Sequence, residues 1–243
     1  MGRRRAALGA RDLVSAERTS PGVATKAPAA APAARGNGER AAFAARPTPD
    51  PGVRLSSRSV WDESTRPVAP PAPAGHRHTA RSQAIGRHLL DVHDHLRAEL
   101  AQLRDLLERV RQGSETAGRV RALLNAMAMR QNNWALGAYC AAYCTLVSQH
   151  HGLEDTSIFP HLRRVDAGLA PVIDRLEAEH VAIHSVVDGL DRALVDHIRA
   201  PGDFGEVQEA LDLLTDTLLS HLAYEEQQIM EPIARYGFYA GQV

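Results

Sequence analysis

Histidine recurs with a second metal-binding side chain four residues on in three stretches of this 243-residue chain: His150 and Glu154, His180 and His184, His221 and Glu225. Four residues along an α-helix return a side chain to the same face about 6 Å further on, so each pair presents two donors to one side. The first and third pairs share a longer layout, His150-x-x-x-Glu154-Asp155-x-x-Ile158 and His221-x-x-x-Glu225-Glu226-x-x-Ile229. Neutral imidazole and carboxylate are good ligands for iron, and facing helices can bring them to a common centre. Two helices that each carry a histidine and a carboxylate suit a dinuclear centre bridged by two carboxylates.

The elements that would position these groups are helices. From about residue 82 the apolar period is helical. A first helix over 84–112 carries Ile85, Leu89, Val92, Leu96, Leu100, Leu103, Leu107 and Val110 and stops at Gly113. A short helix near 115–126 leads through the polar run Arg130-Gln131-Asn132-Asn133 into a second long helix over 132–164. Its inner face reads Leu136, Cys140, Tyr143, Val147, His150, Glu154 and Ile158. A third helix is expected over 169–199, ended by Pro201-Gly202, and a fourth over 203–235. The predicted fold is all-α, an antiparallel up-down four-helix bundle over 81–243. Polar residues interrupt every long stripe, and burying each without a partner costs roughly 2 to 7 kcal/mol. A single metal cluster would satisfy them all. On the first helix His93 shares the face of Leu89, Leu96 and Leu100, whereas His95 sits with Asp91 and Gln102 on the wet side and His88 reads as surface.

These residues resemble a known family, the hemerythrin-like or HHE cation-binding domains. The matching pieces are Val92-His93-Asp94-His95-Leu96-Arg97, His150-His151-Gly152-Leu153-Glu154-Asp155 through Ile158-Phe159-Pro160, Glu179-His180 through His184, and His221 through Tyr224-Glu225-Glu226, together spanning about 85–235. The resemblance implies two non-haem iron ions with oxo and carboxylate bridges. Their ligands would be His93, His150, His180, His184 and His221 with Glu154 and either Glu225 or Glu226; helical phase favours Glu225, which lies between Leu218 and Ile229. Five imidazoles and two carboxylates leave a coordination position open, so the expected function is binding or sensing of dioxygen, peroxide or nitric oxide. Turnover of peroxide or nitric oxide, and iron storage or delivery, are the alternatives. Turnover would need an acid or base nearby, for which Tyr143, Tyr224 and His151 are candidates. Glu177-x-x-His180 also fits the Glu-x-x-His element of ferritin-like bundles, but no second copy exists on another helix.

Composition narrows the rest. Residues 1–80 carry 13 basic and 6 acidic side chains against 15 and 23 in residues 81–243. The acidic part would repel phosphate backbones, so no nucleic-acid partner is expected. Ten of the 14 prolines fall in residues 1–80, in runs such as Pro-Val-Ala-Pro-Pro-Ala-Pro at 67–73, and this segment is expected to be a disordered extension. No apolar stretch is long enough for a membrane span. Met1-Gly-Arg-Arg-Arg is followed by no sustained apolar run, and the two cysteines, Cys140 and Cys144, cannot build a disulfide framework, so the expected location is the cytoplasm. Cys140, one helical turn from Cys144, is expected to be a buried thiol. The run Met129–Trp134 is expected to cap the second helix or to line a channel.

Overall fold

The computed structural model describes residues 41–112, 135–199 and 204–243. Helix α1 is Ala80–Arg111. Helix α2, Ala135–Leu153, passes through one π-helical turn, Glu154–Ile158, into the short α3, Phe159–Val165. Helix α4 is Ala170–Arg199 and α5 is Gly205–Tyr236. Among the described residues there is no strand, and one backbone bridge joins Ala41 to His78. The expected helix near 115–126, the polar run at 129–134, Gly113 and Pro201-Gly202 have no described conformation here, and nor do the Leu136 and Cys140 side chains. No described helix is long and apolar enough to cross a membrane.

Two apolar clusters hold the helices together. One joins Leu100, Leu103 and Leu107 of α1 to Val147 of α2, Leu190 of α4 and Leu211 and Leu214 of α5. The other joins Leu89 of α1 to Phe159 and Leu162 of α3, Ile173 and Leu176 of α4 and Ile229 and Ile233 of α5. The start of α1 therefore meets the end of α5, and the start of α4 meets the end of the α2–α3 run, as neighbours in an antiparallel bundle do. Each fully buried leucine contributes roughly 1.5 to 3 kcal/mol. His93, His150, His180 and Glu225 fall in the polar layer between the clusters.

The π-helical turn has a local cause. The Phe159 N–H donates to the Glu154 carbonyl, five residues back. The Thr156 hydroxyl donates to the Gly152 carbonyl at 2.6 Å, and Pro160 has no N–H for the carbonyl of Thr156 four residues before it. A regular turn is weakened on both sides, and the wider one inserts an extra residue. With that shift in phase, Ile158, Phe159 and Leu162 all reach the core.

Disorder throughout residues 1–80 is not what the structure shows for 41–79, which form an extended strap against α5. The Leu55 and Ser56 N–H groups donate to Asp216 at 2.7 and 2.8 Å, the Thr48 N–H to Glu226 at 2.7 Å and the Ala69 N–H to Gln228 at 2.8 Å. Tyr224 donates its hydroxyl to the Pro67 carbonyl at 2.8 Å. The proline-rich segment buries little apolar surface of its own, but polar side chains on the outer face of α5 take its backbone groups. That is also why α5 is buried nearly all round, with Thr215, Asp216, Thr217, Ser220 and Gln228 among its covered residues.

Candidate metal centre

Four helical runs deliver donors to the layer between the two apolar clusters. His93 of α1, His150 of α2, Glu154 of the π-turn and Glu225 of α5 place one ligand atom each within 4.8 Å of one another. His151, His180 and His221 do the same in a second group. The two carboxylates link the groups. Glu154 lies 3.4 Å from His150 Nε2 and 3.6 Å from His180 Nε2. Glu225 Oε2 lies 3.3 Å from His221 Nε2 and 3.7 Å from His93 Nε2.

The outer nitrogens of three histidines are held by carboxylates. His93 Nδ1 donates to Glu226 at 2.9 Å, His180 Nδ1 to Asp155 at 2.7 Å and His221 Nδ1 to Glu179 at 3.1 Å. An ionised carboxylate only accepts, so each Nδ1 carries a proton and each Nε2 faces inward, with a lone pair wherever the ring is neutral. His180 Nε2 and His221 Nε2 consequently face each other at 3.2 Å. Two lone pairs at that distance repel unless a proton or a cation lies between them.

The inward atoms lack partners of the ordinary kind. His93 Nε2, His150 Nε2, His184 Nε2, both ring nitrogens of His151 and all four carboxylate oxygens of Glu154 and Glu225 are buried without a hydrogen bond. Buried polar atoms are normally bonded, and so dense a group of exceptions calls for a ligand. The set of imidazoles and carboxylates is what a first-row transition ion with mixed nitrogen and oxygen ligation takes. The residues therefore fit a metal centre.

The electrostatics agree. Burial and the neighbouring Glu225 charge push the Glu154 carboxyl well above its usual range. Burial opposes ionisation of Glu225 too, but His93, His221 and His150 outweigh it and hold that carboxyl well below the usual range. Burial lowers His150 to about 3 and drives His151 further down, so both rings are neutral. For Glu179, hydrogen bonds from His221, Arg66 and Arg175 overcome burial and bring the carboxyl to about 2.

Of the sequence-expected ligands, His93, His150, Glu154 and Glu225 lie in the first group, and His180 and His221 in the second. His184 lies outside both, its ring centroid 5.4 Å from that of His151. Glu226 turns away from the interior: it accepts from His93 Nδ1 and from the Thr48 N–H, and its carboxylate forms an ion pair with Arg97 at 2.7 Å. His151 was not among the expected ligands. It stacks on His180 with centroids 4.0 Å apart and planes 7° from parallel, and it supplies the nitrogen that completes the second group. Its signal in the sequence is adjacency, since His150 and His151 are only about 100° apart around a helix and can flank one centre. Asp155 and Glu179, each next to an expected ligand, are supports that the four-residue spacing does not mark.

The match to known families follows the same residues. The family model described as the hemerythrin HHE cation binding domain matches residues 84–233, and the chain belongs to that family. Its site is thus that of a metal-binding domain. No curated protein and no solved structure matches the chain.

Proposed function

We propose that the centre holds two iron ions bridged by Glu154 and Glu225, and that the protein binds or senses a small oxidant such as dioxygen, peroxide or nitric oxide. What supports this reading is the inward-facing set of nitrogen and oxygen atoms that make no hydrogen bond. His93 and His150 would hold one ion, and His151, His180 and His221 the other, with His184 adjacent. Iron bound there supplies one-electron redox chemistry and a coordination position open to a small ligand. The chain's own contribution is to orient and to exclude water. Glu226, Asp155 and Glu179 keep three rings in one tautomer, while Leu96, Phe159 and Leu222 pack around the layer.

The three acid–base candidates read from the sequence supply no proton to the centre. Burial raises the Tyr224 hydroxyl to about 12, and it donates to the strap carbonyl of Pro67 on the outer side of α5. Tyr143 donates to the Leu96 carbonyl at 3.4 Å. Of the three acid–base candidates only His151 belongs to the centre, and burial keeps its ring unprotonated. A general acid within reach of the interior is thus missing among them.

Metal analysis with optical spectroscopy tests the reading. About two irons per chain are expected, with a spectrum that changes when the reduced protein meets oxidant. Oxidation should be stoichiometric. Many turnovers of peroxide per chain would replace the binding function by an enzymatic one. A chain that takes up no iron, or surrenders all of it at once to a weak chelator, would refute a resident centre.

A further inference from the structure

A second cluster of donors lies at the end of the bundle. His76 and His78 of the strap and Glu231 of α5 bring one ligand atom each within 4.8 Å of one another. The local sequence arranges this. The His76 N–H donates to the Pro73 carbonyl at 2.9 Å across a turn in which Gly75 has φ +76°, a left-handed conformation that glycine adopts without strain. Beyond the turn the chain is extended and paired with Ala41 through bonds of 2.9 and 2.7 Å. Side chains two residues apart then project to the same side, which puts both histidine rings over α5. Their centroids are 4.7 Å apart.

The donors are unsatisfied as they stand. His78 is 3% exposed, and its Nδ1 is buried with no hydrogen bond. Burial lowers the affinity of this ring for a second proton, against the pull of Glu231. Glu231 Oε1 approaches His78 Nε2 to 3.1 Å but is buried without a hydrogen bond of its own. Its other oxygen, Oε2, lies 3.4 Å from the Arg235 guanidinium, and Arg235 is shared with Asp166 at 3.6 Å. His76 is exposed, so a cation has a path in and one ring free to adjust.

We propose that His76, His78 and Glu231 form a separate mononuclear site for a zinc-type divalent cation, which clasps the strap to the end of α5. Two imidazoles and a carboxylate are a zinc ligand set, and water completes the tetrahedron. The site is independent of the interior centre. Glu231 is six residues beyond Glu225, about 9 Å along the helix and turned about 240° around it. His78 precedes α1 altogether, whereas His93 lies well inside it.

The test uses full-length protein, with His76→Asn as an exposed substitution that leaves packing intact and Glu231→Gln as a second variant. Zinc is titrated against a competing chelator, and trypsin cleavage after Arg54 and Arg58 is timed with and without zinc. The native chain should bind one zinc more than either variant, and zinc should slow cleavage several-fold in the native chain only. Iron content should be the same in native protein and His76→Asn. Equal zinc stoichiometry in the three proteins would overturn the site; an extra zinc that gives no protection would overturn the clasp. A zinc difference in protein that holds no iron would leave this proposal standing and remove the one above.

Discussion

At the scale of single residues, adjacent glutamates have opposite jobs. Glu225 faces the interior with neither oxygen hydrogen-bonded, while Glu226 braces His93 from outside. Glu225→Gln should abolish metal retention, because a neutral amide cannot balance the charge of a cation held among buried imidazoles. Glu226→Gln should keep the metal with affinity weakened about 10- to 100-fold, the usual cost of losing a carboxylate behind a histidine ligand. Metal content after gel filtration separates the two. Cys144 gives a second expectation. Burial, with Asp191 nearby, raises its thiol to about 11, so thiolate is scarce at neutral pH. Iodoacetamide at pH 8 should modify Cys144 far more slowly than a free cysteine, by roughly 100-fold on thiolate fraction alone; peptide mass spectrometry would show it. Residue types and spacing pointed to histidine and carboxylate convergence, because period 3.6 decides which side chains share a face. The same rule puts His151 about 100° round the helix from His150, off the shared face, so only adjacency marks it and its stacking on His180 is visible in three dimensions alone.

The elements make their own demands. Gly86 of α1 sits where α5 and the strap close in: a Cβ there would come within 2.8 Å of the Met230 carbonyl, the Ala234 Cβ and the Phe43 ring. Alanine normally gains about 1 kcal/mol over glycine within a helix, but here a backbone oxygen blocks it. Gly86→Ala should therefore destabilise the protein by about 1 to 3 kcal/mol, read as a lower Tm. The strap makes a different prediction. Arg66 donates to both oxygens of Glu179 at 2.8 and 2.9 Å, and Glu179 accepts from His221. A carboxyl held at about 2 instead of its ordinary 4.5 adds stability that is full above pH 4.5 and is lost as pH falls towards 2. Arg66→Ala should narrow that window, so metal-free protein carrying it should unfold at a higher pH on acid titration. The strap itself is hidden from sequence reading because its partners Asp216, Ser220 and Gln228 look like ordinary surface residues of a helix, and Glu226 reads as a possible metal ligand. Only the fold shows that this surface is covered.

On the scale of the whole molecule, the polar layer divides the apolar interior into two clusters and strains it when no cation is present. Glu154 and Glu225 then bury competing charge, so the metal-free state is the weaker one. Chelation should lower Tm, and adding metal back should restore it in proportion to the logarithm of metal concentration above Kd, as for any ligand that binds only the folded form. Calorimetry over a metal series checks this. The four-helix architecture was legible from the leucine stripes of α1 and the other long helices. The break in the second run was not, since it depends on competition for two carbonyls around Thr156 and Pro160.

The strap has one further consequence, for the order of events during synthesis. Its hydrogen-bond partners on α5 lie 153 to 178 residues downstream. It leaves the ribosome early, yet its seat on α5 is missing until the last helix has emerged. The brace that Thr48 lends to Glu226 consequently cannot form before then, and a nascent chain stalled before α5, which also lacks His221 and Glu225, should be unable to retain cargo in its interior.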